Sequence, residues 1–365
     1  METAEPAQGV SRDAGGAREA PTLGYIAGSL HSARRPDPMP ELPDIVVYIE
    51  SLAERVAGQP LEGVRLATPF LLRTVDPPLS AARGKRVAGF SRLGKRIVFE
   101  LEDDLFLVLH LMIAGRLRWR PRGEKIPGKV GLAAFDFPNG TLLLTEASTK
   151  KRASLHLVRG RSALAPLHRG GLEPLDASLA QFRAALTAEN RTLKRALTDP
   201  RIFSGIGNAY SDEILFEAQL SPVQRTHQLE DAEVERLYRA TQHTLRDWTS
   251  RLRAEAAVAF PEKVTAFRED MAVHGRYQKP CRVCGTKIQR VRFADNELNY
   301  CPRCQTGGKL LADRSLSRLL RGDWPRSIDE LELQTEQRAG VIPSPLQAKP
   351  PAAKRRAPQR KASRR

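Results

Sequence analysis

Four cysteines near the C-terminus constrain the fold of this chain more than any other feature of its sequence. They form two Cys-x-x-Cys pairs, Cys281 with Cys284 and Cys301 with Cys304, separated by sixteen residues. This spacing is typical of a four-thiolate zinc site, in which two tight knuckles joined by a hairpin complete a tetrahedron without a large apolar core. Two disulfides are the alternative, but the sequence has no recognisable secretory signal, so we expect a zinc ribbon.

We expect the ribbon to hold one structural Zn²⁺, because four thiolates leave no open position for a catalytic water. The hairpin between the two pairs carries Lys287, Arg290 and Arg292, which are suited to contact phosphates. A zinc ribbon by itself would equally suit a transcription factor or a protein-interaction module. The ribbon alone therefore does not identify the function.

The distribution of charge favours a polyanionic partner. The formal net charge is +17, and eight of the positive charges lie in a tail from Lys349 to Arg365 that has no acidic residue, which leaves +9 elsewhere. Such a surface binds nucleic acid by counterion release, although a merely solvated surface is the alternative. We expect removal of residues 344–365 to weaken DNA binding at low salt and to flatten its salt dependence.

The first half of the chain is rich in strand patterns. Residues 1–38 are rich in Ala, Gly, Pro and Arg, and we interpret them as a disordered leader or a mis-assigned start. Apolar spacing from Ile45 to Val56 then predicts one amphipathic helix. Strand-like runs follow, with an Asn139-Gly140 hairpin signal, at 97–101, 105–111, 132–137 and 141–145. Together they predict a β-sandwich domain over residues 39–161.

The second half is helical up to the ribbon. Beyond a Pro- and Gly-rich linker at 162–175, a helical domain is predicted at 176–275, with helices near 179–186, 193–197, 210–219, 230–252 and 261–273. The zinc ribbon (276–306), a C-terminal extension (307–342) with an amphipathic segment around 316–320, and a disordered basic tail (343–365) complete the chain. The predicted fold class is α+β, with an N-terminal helix and β-sandwich followed by a helical domain and a zinc hairpin.

Four separated motifs resemble the formamidopyrimidine-DNA glycosylase and endonuclease VIII family, and the resemblance spans Pro40 to Gln305. The motifs are Pro40-Glu41-Leu42-Pro43-Asp44, His110-Leu111 with Gly115, Gly205-Ile206-Gly207-Asn208-Ala209-Tyr210, and Gly275-Arg276 leading into Pro280-Cys281-Arg282-Val283-Cys284-Gly285. The resemblance implies that the helical domain is a helix-two-turn-helix DNA-binding domain. It also implies base-excision repair of damaged double-stranded DNA by a glycosylase that is also an abasic-site lyase.

The resemblance implies a catalytic role for Pro40, because mature members of the family begin with Pro-Glu. An N-terminal proline has a secondary amine that can attack C1′ of the nucleotide and form an iminium (Schiff-base) intermediate, whereas an internal proline nitrogen is an amide. Met39 precedes Pro40 in this chain. We therefore expect translation to start at Met39 with removal of the methionine, or cleavage of the leader.

Two further residues match the family's catalytic groups. Glu41 resembles the general acid and base that moves protons to and from the opening sugar; taken alone, it would be interpreted as a carboxylate that stabilises the dipole of the following helix. Lys95 matches the lysine that contacts the phosphate beside the lesion and donates a proton for β-elimination. A solvated turn lysine is the alternative for Lys95, and the neighbouring Arg96 competes for the same role.

The resemblance also assigns DNA contacts. Asn208 follows a glycine pair that permits close approach of the backbone to a phosphate, and the asparagine can cap the helix that it opens. The family arginine of the zinc hairpin falls near Asn296, and Arg292 replaces it only after a shift of register. Cleavage by δ-elimination is therefore less expected than base release and β-elimination.

Two regions depart from the family pattern. Ile113 occupies the first position that fills the stack vacated by a flipped base, but the segment from Thr145 to Arg152 has no aromatic residue to supply the second. The glycine-rich loop that caps oxidised purines would lie between Phe267 and Gly275, where only seven residues are present. This short connection favours oxidised pyrimidines, ring-opened purines or abasic sites as substrates.

These observations predict a monomeric, cytoplasmic and nucleoid-associated DNA glycosylase and lyase without membrane contact. The alternative is a noncatalytic zinc protein that recognises damaged or unusual DNA structures with the same fold. Pro40, Glu41 and Lys95 together favour the enzyme.

Overall fold

The computed structural model describes residues 39–262, 268–293, 296–312 and 325–338. The predicted leader, the amphipathic segment around 316–320 and the basic tail lie outside the described residues. Within those ranges, no helix combines the length and the apolar character that a membrane crossing requires.

Two four-stranded antiparallel sheets form the first domain and confirm the predicted sandwich. One sheet has the order β1-β6-β7-β5 and the other β2-β3-β4-β8. The strands are β1 Gly63–Leu66, β2 Val87–Leu93, β3 Arg96–Leu101, β4 Leu105–His110, β5 Gly115–Arg120, β6 Gly131–Phe137, β7 Gly140–Glu146 and β8 Ser154–Arg159. Their inward side chains, among them Phe99, Leu107 and Phe135, form a buried core between the sheets.

The hairpin predicted at Asn139-Gly140 is present, but its loop lies one residue earlier. Phe137 pairs with Gly140, so the two loop residues are Pro138 and Asn139. Gly140 is required for packing, because a Cβ there would lie 2.4 Å from the Cζ2 atom of Trp119.

Helix α1 (Leu42–Val56) joins the sandwich to the helical domain. One face, including Ile45, Tyr48 and Leu52, packs into the sandwich core, while Leu42 belongs to the core of the helical domain. The first turn of α1 is therefore fixed by both domains. The segment that carries Pro40 and Glu41 enters this first turn directly.

The described residues of the second domain contain four α-helices that pack around a second core. They are α2 Leu179–Thr187, α3 Leu193–Thr198, α4 Asn208–Glu217 and α5 Asp231–Ala256. The segment predicted as a linker contains a 3-10 helix, Arg161–Leu167. Leu172 then pairs with Phe203, which attaches the end of this segment to the second domain.

The prediction of a helix at 261–273 is wrong for the residues that the structure describes there, since residues 261–262 and 268–273 form turns or irregular structure. The buried carboxylate of Glu213 explains the difference. It accepts the backbone N–H groups of Ala272, Val273 and His274 at 2.7, 3.0 and 2.9 Å. Those N–H groups are thereby withdrawn from helical hydrogen bonds.

The hairpin β9 (Gln289–Phe293) and β10 (Asn296–Tyr300) forms the centre of the ribbon, followed by the short helix α6 (Pro302–Thr306). Helix α7 (Ile328–Arg338) packs against it: Ile328 is buried, and Lys309 pairs with Ser327. Leu311 belongs to a small cluster with hairpin residues, and its N–H donates to the hydroxyl of Tyr300 at 2.8 Å. The C-terminal extension therefore supports the zinc hairpin.

Candidate active site

Pro40 and Glu41 lie at the junction of the two domains. Both are buried, Glu41 with 2% of its surface exposed. The N–H of the next residue, Leu42, donates to the carbonyl of Gly205 at 2.9 Å and ties this segment to the loop before α4. In this chain Met39 acylates the nitrogen of Pro40, so that nitrogen is an amide.

The carboxylate of Glu41 is held by backbone N–H groups at the start of α4. It accepts from Gly207 at 2.6 Å, Ala209 at 2.8 Å and Tyr210 at 3.3 Å. The positive end of a helix dipole and three donors compensate this buried charge. Glu41 is also the N-cap residue of α1, so its carboxylate lies at the start of both helices, and its effect on the dipole of α1 stays a prediction.

Gly207 makes this arrangement possible. A Cβ at this position would lie 2.4 Å from both Glu41 Cδ and Lys95 Nζ, so any larger residue would displace them. The carboxylate and the amine therefore flank the same glycine. The sequence analysis interpreted this glycine as part of a phosphate-binding loop. In the structure, the absence of a side chain at Gly207 also leaves room for two candidate catalytic residues, Glu41 and Lys95.

Lys95 lies in the two-residue loop between β2 and β3, where Leu93 pairs with Arg96. Gly94, with a φ of 64°, provides the left-handed conformation that this tight hairpin needs. Burial lowers the pKa of Lys95, while the negative charges of Glu41 and Asp44 oppose that effect. A lowered pKa makes the ammonium a stronger acid, which suits a proton donor.

Asp44 is a buried carboxyl that sequence analysis did not single out. Its Oδ2 accepts the N–H of Glu41 at 2.8 Å, and its Oδ1 has no hydrogen-bond partner. Burial raises the pKa of Asp44 to about 7. Its position three residues after Glu41, at the start of a helix, is the pattern that could have identified it.

Arg92 fixes the relation between β2 and the helical domain. Its guanidinium forms an ion pair with Glu173 and donates to the carbonyl of Gly94 at 2.8 Å. It therefore holds the hairpin that carries Lys95 against the segment leading into the second domain.

The predicted DNA contacts lie near the zinc hairpin. The N-cap of α4 is Gly207, so the prediction that Asn208 caps the helix is wrong. The side-chain amide of Asn208 instead donates to the carbonyl of Glu297 at 2.7 Å. Arg292 lies on β9, directly opposite Glu297 in the hairpin.

The four cysteines converge as their spacing predicts. Their sulfur atoms all lie within 4.8 Å of one another, including Cys281 to Cys304 at 3.9 Å and Cys284 to Cys301 at 3.4 Å. A tetrahedral zinc ion with Zn–S bonds of about 2.3 Å requires sulfur separations of just under about 4 Å. The donor set and its dimensions therefore fit this metal.

A buried polar network connects the ribbon to α4. The carboxylate of Asp212 contacts Lys194 Nζ at 2.5 Å, His274 Nδ1 at 2.7 Å and the N–H of Asn299 at 3.1 Å. Burial raises the pKa of Asp212, but the charge of Lys194 and the bond to His274 outweigh it and leave the pKa low.

Two regions that depart from the family pattern have defined structures. The loop after β7 closes over Glu146, whose carboxylate accepts the N–H groups of Arg152 and Ala153 at 3.0 and 3.2 Å. Ile113 is half-buried in the turn between β4 and β5. Phe267 lies outside the described residues, and residues 272–274 are held by Glu213, so the connection before Gly275 is short and anchored.

Comparison with known protein families assigns the two domains and the zinc ribbon. The sequence models of the formamidopyrimidine-DNA glycosylase N-terminal domain and H2TH domain match residues 39–157 and 171–251. The zinc finger found in FPG and IleRS matches residues 278–307. Helix α7 lies outside these matches.

Individual relatives and solved structures agree with these family matches. A formamidopyrimidine-DNA glycosylase of Heliobacterium modesticaldum is 34% identical over 280 residues, which cover 73% of this chain and all of the relative. The structure of MutM (FPG) from Thermus thermophilus matches with a TM-score of 0.63 and 31% identity, over 73% of this chain and 98% of that one. Lactococcus lactis Fpg in complex with DNA containing an abasic site gives 0.65 and 25%, over 73% and 99%.

Fold and site thus define a two-domain protein of the helix-two-turn-helix and zinc-ribbon class. The chain belongs to the formamidopyrimidine-DNA glycosylase family.

Proposed function

We propose that this protein is a DNA glycosylase of base-excision repair that also cleaves abasic sites, with the amine of Pro40 as nucleophile. The observation that carries the proposal is the buried carboxylate of Glu41, held by three backbone N–H groups directly after Pro40 and beside Lys95. A noncatalytic DNA-binding protein has no need for a buried carboxylate and amine next to a potential secondary amine.

The first step is attack of the Pro40 nitrogen on C1′ of a nucleotide whose base has been flipped out of the helix. The C–N bond to the base breaks, and the base leaves with the electron pair and takes a proton. Glu41 protonates the ring oxygen of the sugar as the ring opens, and the amine loses its proton, which gives the iminium.

The second step is β-elimination. The iminium acidifies the C2′ hydrogen; loss of that proton expels the 3′ phosphate, and hydrolysis of the iminium then frees Pro40. Lys95, whose pKa is lowered by burial, is proposed to contact the phosphate and to donate a proton. Because the family's hairpin arginine falls near Asn296, and Arg292 replaces it only after a shift of register, we propose that β-elimination products predominate over δ-elimination products.

The cysteine cluster is proposed to bind one structural Zn²⁺. With all four ligand positions filled by sulfur, the ion would orient the hairpin and take no part in bond breaking. The proposed partner is damaged double-stranded DNA, bound by a monomer. Abasic sites, oxidised pyrimidines and ring-opened purines are the proposed substrates, because the connection before Gly275 is short.

Borohydride trapping tests this proposal. A protein that begins at Pro40 should form a covalent adduct with duplexes that contain an abasic site, thymine glycol or 8-oxoguanine, and the fastest lesion identifies the preferred substrate. Pro40→Gly should diminish the adduct, while Pro121→Gly, at an exposed bend, is the matched control and should not. Glu41→Gln should slow adduct formation by about 10²–10⁴-fold.

DNA binding without any adduct would overturn the proposal in favour of noncatalytic recognition. N-terminal sequencing of the active species provides a second test. An active protein that retains an intact Met1 leader would contradict the requirement for a free Pro40 amine.

A further inference from the structure

The outer face of the β2-β3-β4-β8 sheet carries a cluster of positive and imidazole side chains that the proposed reaction does not use. Arg96 pairs with His110 across β3 and β4, and His156 on β8 lies opposite Val108. Directly opposed residues, and residues two apart on a strand, share a face of the sheet. Arg96, His110 and His156 therefore project from the same surface, outside the sandwich core.

Arg169 adds a further charge to this cluster. The terminal Nη1 of Arg96 donates to the carbonyl of Leu167 at 3.0 Å, which brings Arg96 to the end of the 3-10 helix just before Arg169. Arg169 is exposed, and its charge acts on both Arg96 and His110. We call Arg96, His156 and Arg169 the outer basic cluster.

The outer basic cluster has no compensating acid. Among the described residues, no carboxylate forms an ion pair with Arg96 or Arg169, whereas other arginines of the sandwich, such as Arg65, Arg92 and Arg122, have such partners. Arg96 Nε and His156 Nδ1 are buried without a hydrogen-bond partner. Burial lowers the pKa of His110 to about 3, and the charges of Arg96, Lys95 and Arg169 act in the same direction. The pKa of His156 is lowered by burial and by Arg96.

Such a group is incomplete without an anion. The partly buried charge of Arg96 and the exposed charge of Arg169 repel each other and keep the neighbouring imidazoles neutral, which raises the free energy of the unliganded protein. A phosphate offers acceptors for the unused terminal nitrogen of Arg96 and for Arg169, and guanidinium groups match the geometry of phosphate oxygens. Neutral imidazole can add an N–H donor.

We propose that Arg96, His156 and Arg169 form a binding subsite for a backbone phosphate of DNA, next to the phosphate contacted by Lys95. The position follows from the chain, since Lys95 and Arg96 are consecutive and lie at one end of β3. The assignment to DNA rests on the proposed function, because Lys95, the proposed phosphate contact, directly precedes Arg96 in the chain.

Single-phosphate neutralisation tests the subsite. Duplexes with a tetrahydrofuran abasic-site analogue would carry a neutral methylphosphonate at one backbone position at a time, and dissociation constants would be measured for the Pro40-starting protein and for Arg169→Ala. Arg169 is exposed, so this variant should fold. The double variant Arg96→Gln with Arg169→Ala removes both charges. Arg239→Ala, at an exposed arginine of α5, is the matched control.

We expect one methylphosphonate position that weakens binding by about tenfold for the unmodified protein and for the control, but much less for the double variant. The double variant should also have a salt-dependence slope lower by about 0.9 for each lost contact. Equal losses at every position for all proteins, with unchanged slopes, would overturn the subsite.

Two further results separate the possible explanations. If inorganic phosphate binds to the cluster while every methylphosphonate effect is additive, the site takes free phosphate and the DNA assignment is wrong. If the position-specific effect is present but borohydride trapping gives no adduct, the glycosylase proposal fails and the phosphate subsite stands.

Discussion

Two regions of this protein meet at helix α4 but are held in place by different forces. The corner proposed to be catalytic, which we call the catalytic corner and define as Pro40, Glu41, Lys95 and Gly207, is fixed by backbone N–H groups and by packing between two large cores. The described residues of the zinc ribbon (278–307) form only small apolar clusters, and one of them includes Cys281 and Cys301, two of the proposed metal ligands. The corner is therefore preorganised by the protein fold, whereas we expect the ribbon to depend on its sulfur ligands.

Metal removal should have the largest effect, and it should unfold the zinc ribbon while the catalytic corner stays folded. Zinc ribbons of this kind gain about 10–16 kcal/mol of apparent binding energy from the ion, so chelation or Cys301→Ser should unfold residues 278–307. Hydrogen exchange should show lost protection in β9 and β10 but retained protection in β3 and β4. Equal loss in both regions would contradict the separation.

The pH dependence of stability should reveal the buried carboxyl of Asp44, which lies beside the catalytic corner. The pKa of Asp44 is raised to about 7 in the folded protein, above its ordinary value of 3.8, so the native state keeps this proton longer than the unfolded chain. Its contribution to stability is greatest below about pH 4, decreases as the pH rises towards 7 and is constant above that.

Asp44→Asn removes that titration. Relative to the unmodified protein, the variant should gain stability between pH 4 and pH 8, on the order of 4 kcal/mol for a shift of this size. Urea unfolding at several pH values measures it. Parallel stability curves for the two proteins would show that Asp44 does not titrate in this range.

Gly207→Ala should damage catalysis more than folding. The added methyl group would lie 2.4 Å from both Glu41 Cδ and Lys95 Nζ, so both groups must move. A displacement of about 1 Å can reduce a rate by about 100-fold, and trapping on an abasic duplex should slow accordingly. Gly63→Ala is the control, because nothing lies within 4 Å of its Cβ position. Similar trapping rates for both variants would contradict the role that we assign to Gly207.

Tyr300→Phe should have the smallest effect, and that effect should be limited to the zinc ribbon. The substitution removes the hydroxyl that accepts the N–H of Leu311, which costs about 1 kcal/mol or somewhat more because that N–H is buried. Faster metal loss to a chelator, with unchanged trapping by the corner, is the expected result. Unchanged metal loss would show that the C-terminal extension does not stabilise the hairpin.

The elements with strong periodicity were predictable from the sequence. The sandwich strands follow from alternating apolar residues, and α1 follows from apolar spacing that ends before Gly58. The ribbon follows from the cysteine spacing. The predicted helix at 261–273 failed because the decisive interaction is long-range: Glu213 lies about sixty residues earlier and accepts two of its backbone N–H groups and that of the next residue, His274.

In the candidate site, too, local features were predictable from the sequence and long-range contacts were not. Pro40, Glu41 and Lys95 were found because they match local motifs. The contact of the Glu41 carboxylate with α4 was not predicted, because the approach of residues 41 and 207 depends on how the domains pack. The outer basic cluster also escaped the sequence analysis, since its members come from two strands and a loop after a 3-10 helix.

Helix α4 has a consequence for evolution and for protein engineering. Its first N–H groups hold Glu41, while Asp212 and Glu213, one turn later, hold Asn299 and residues 272–274. Substitutions in these ten residues therefore face two separate selections at once, which should make them slow to diverge. A ribbon grafted from a distant homologue would need to bring its own version of α4, and that helix would in turn have to accept Glu41.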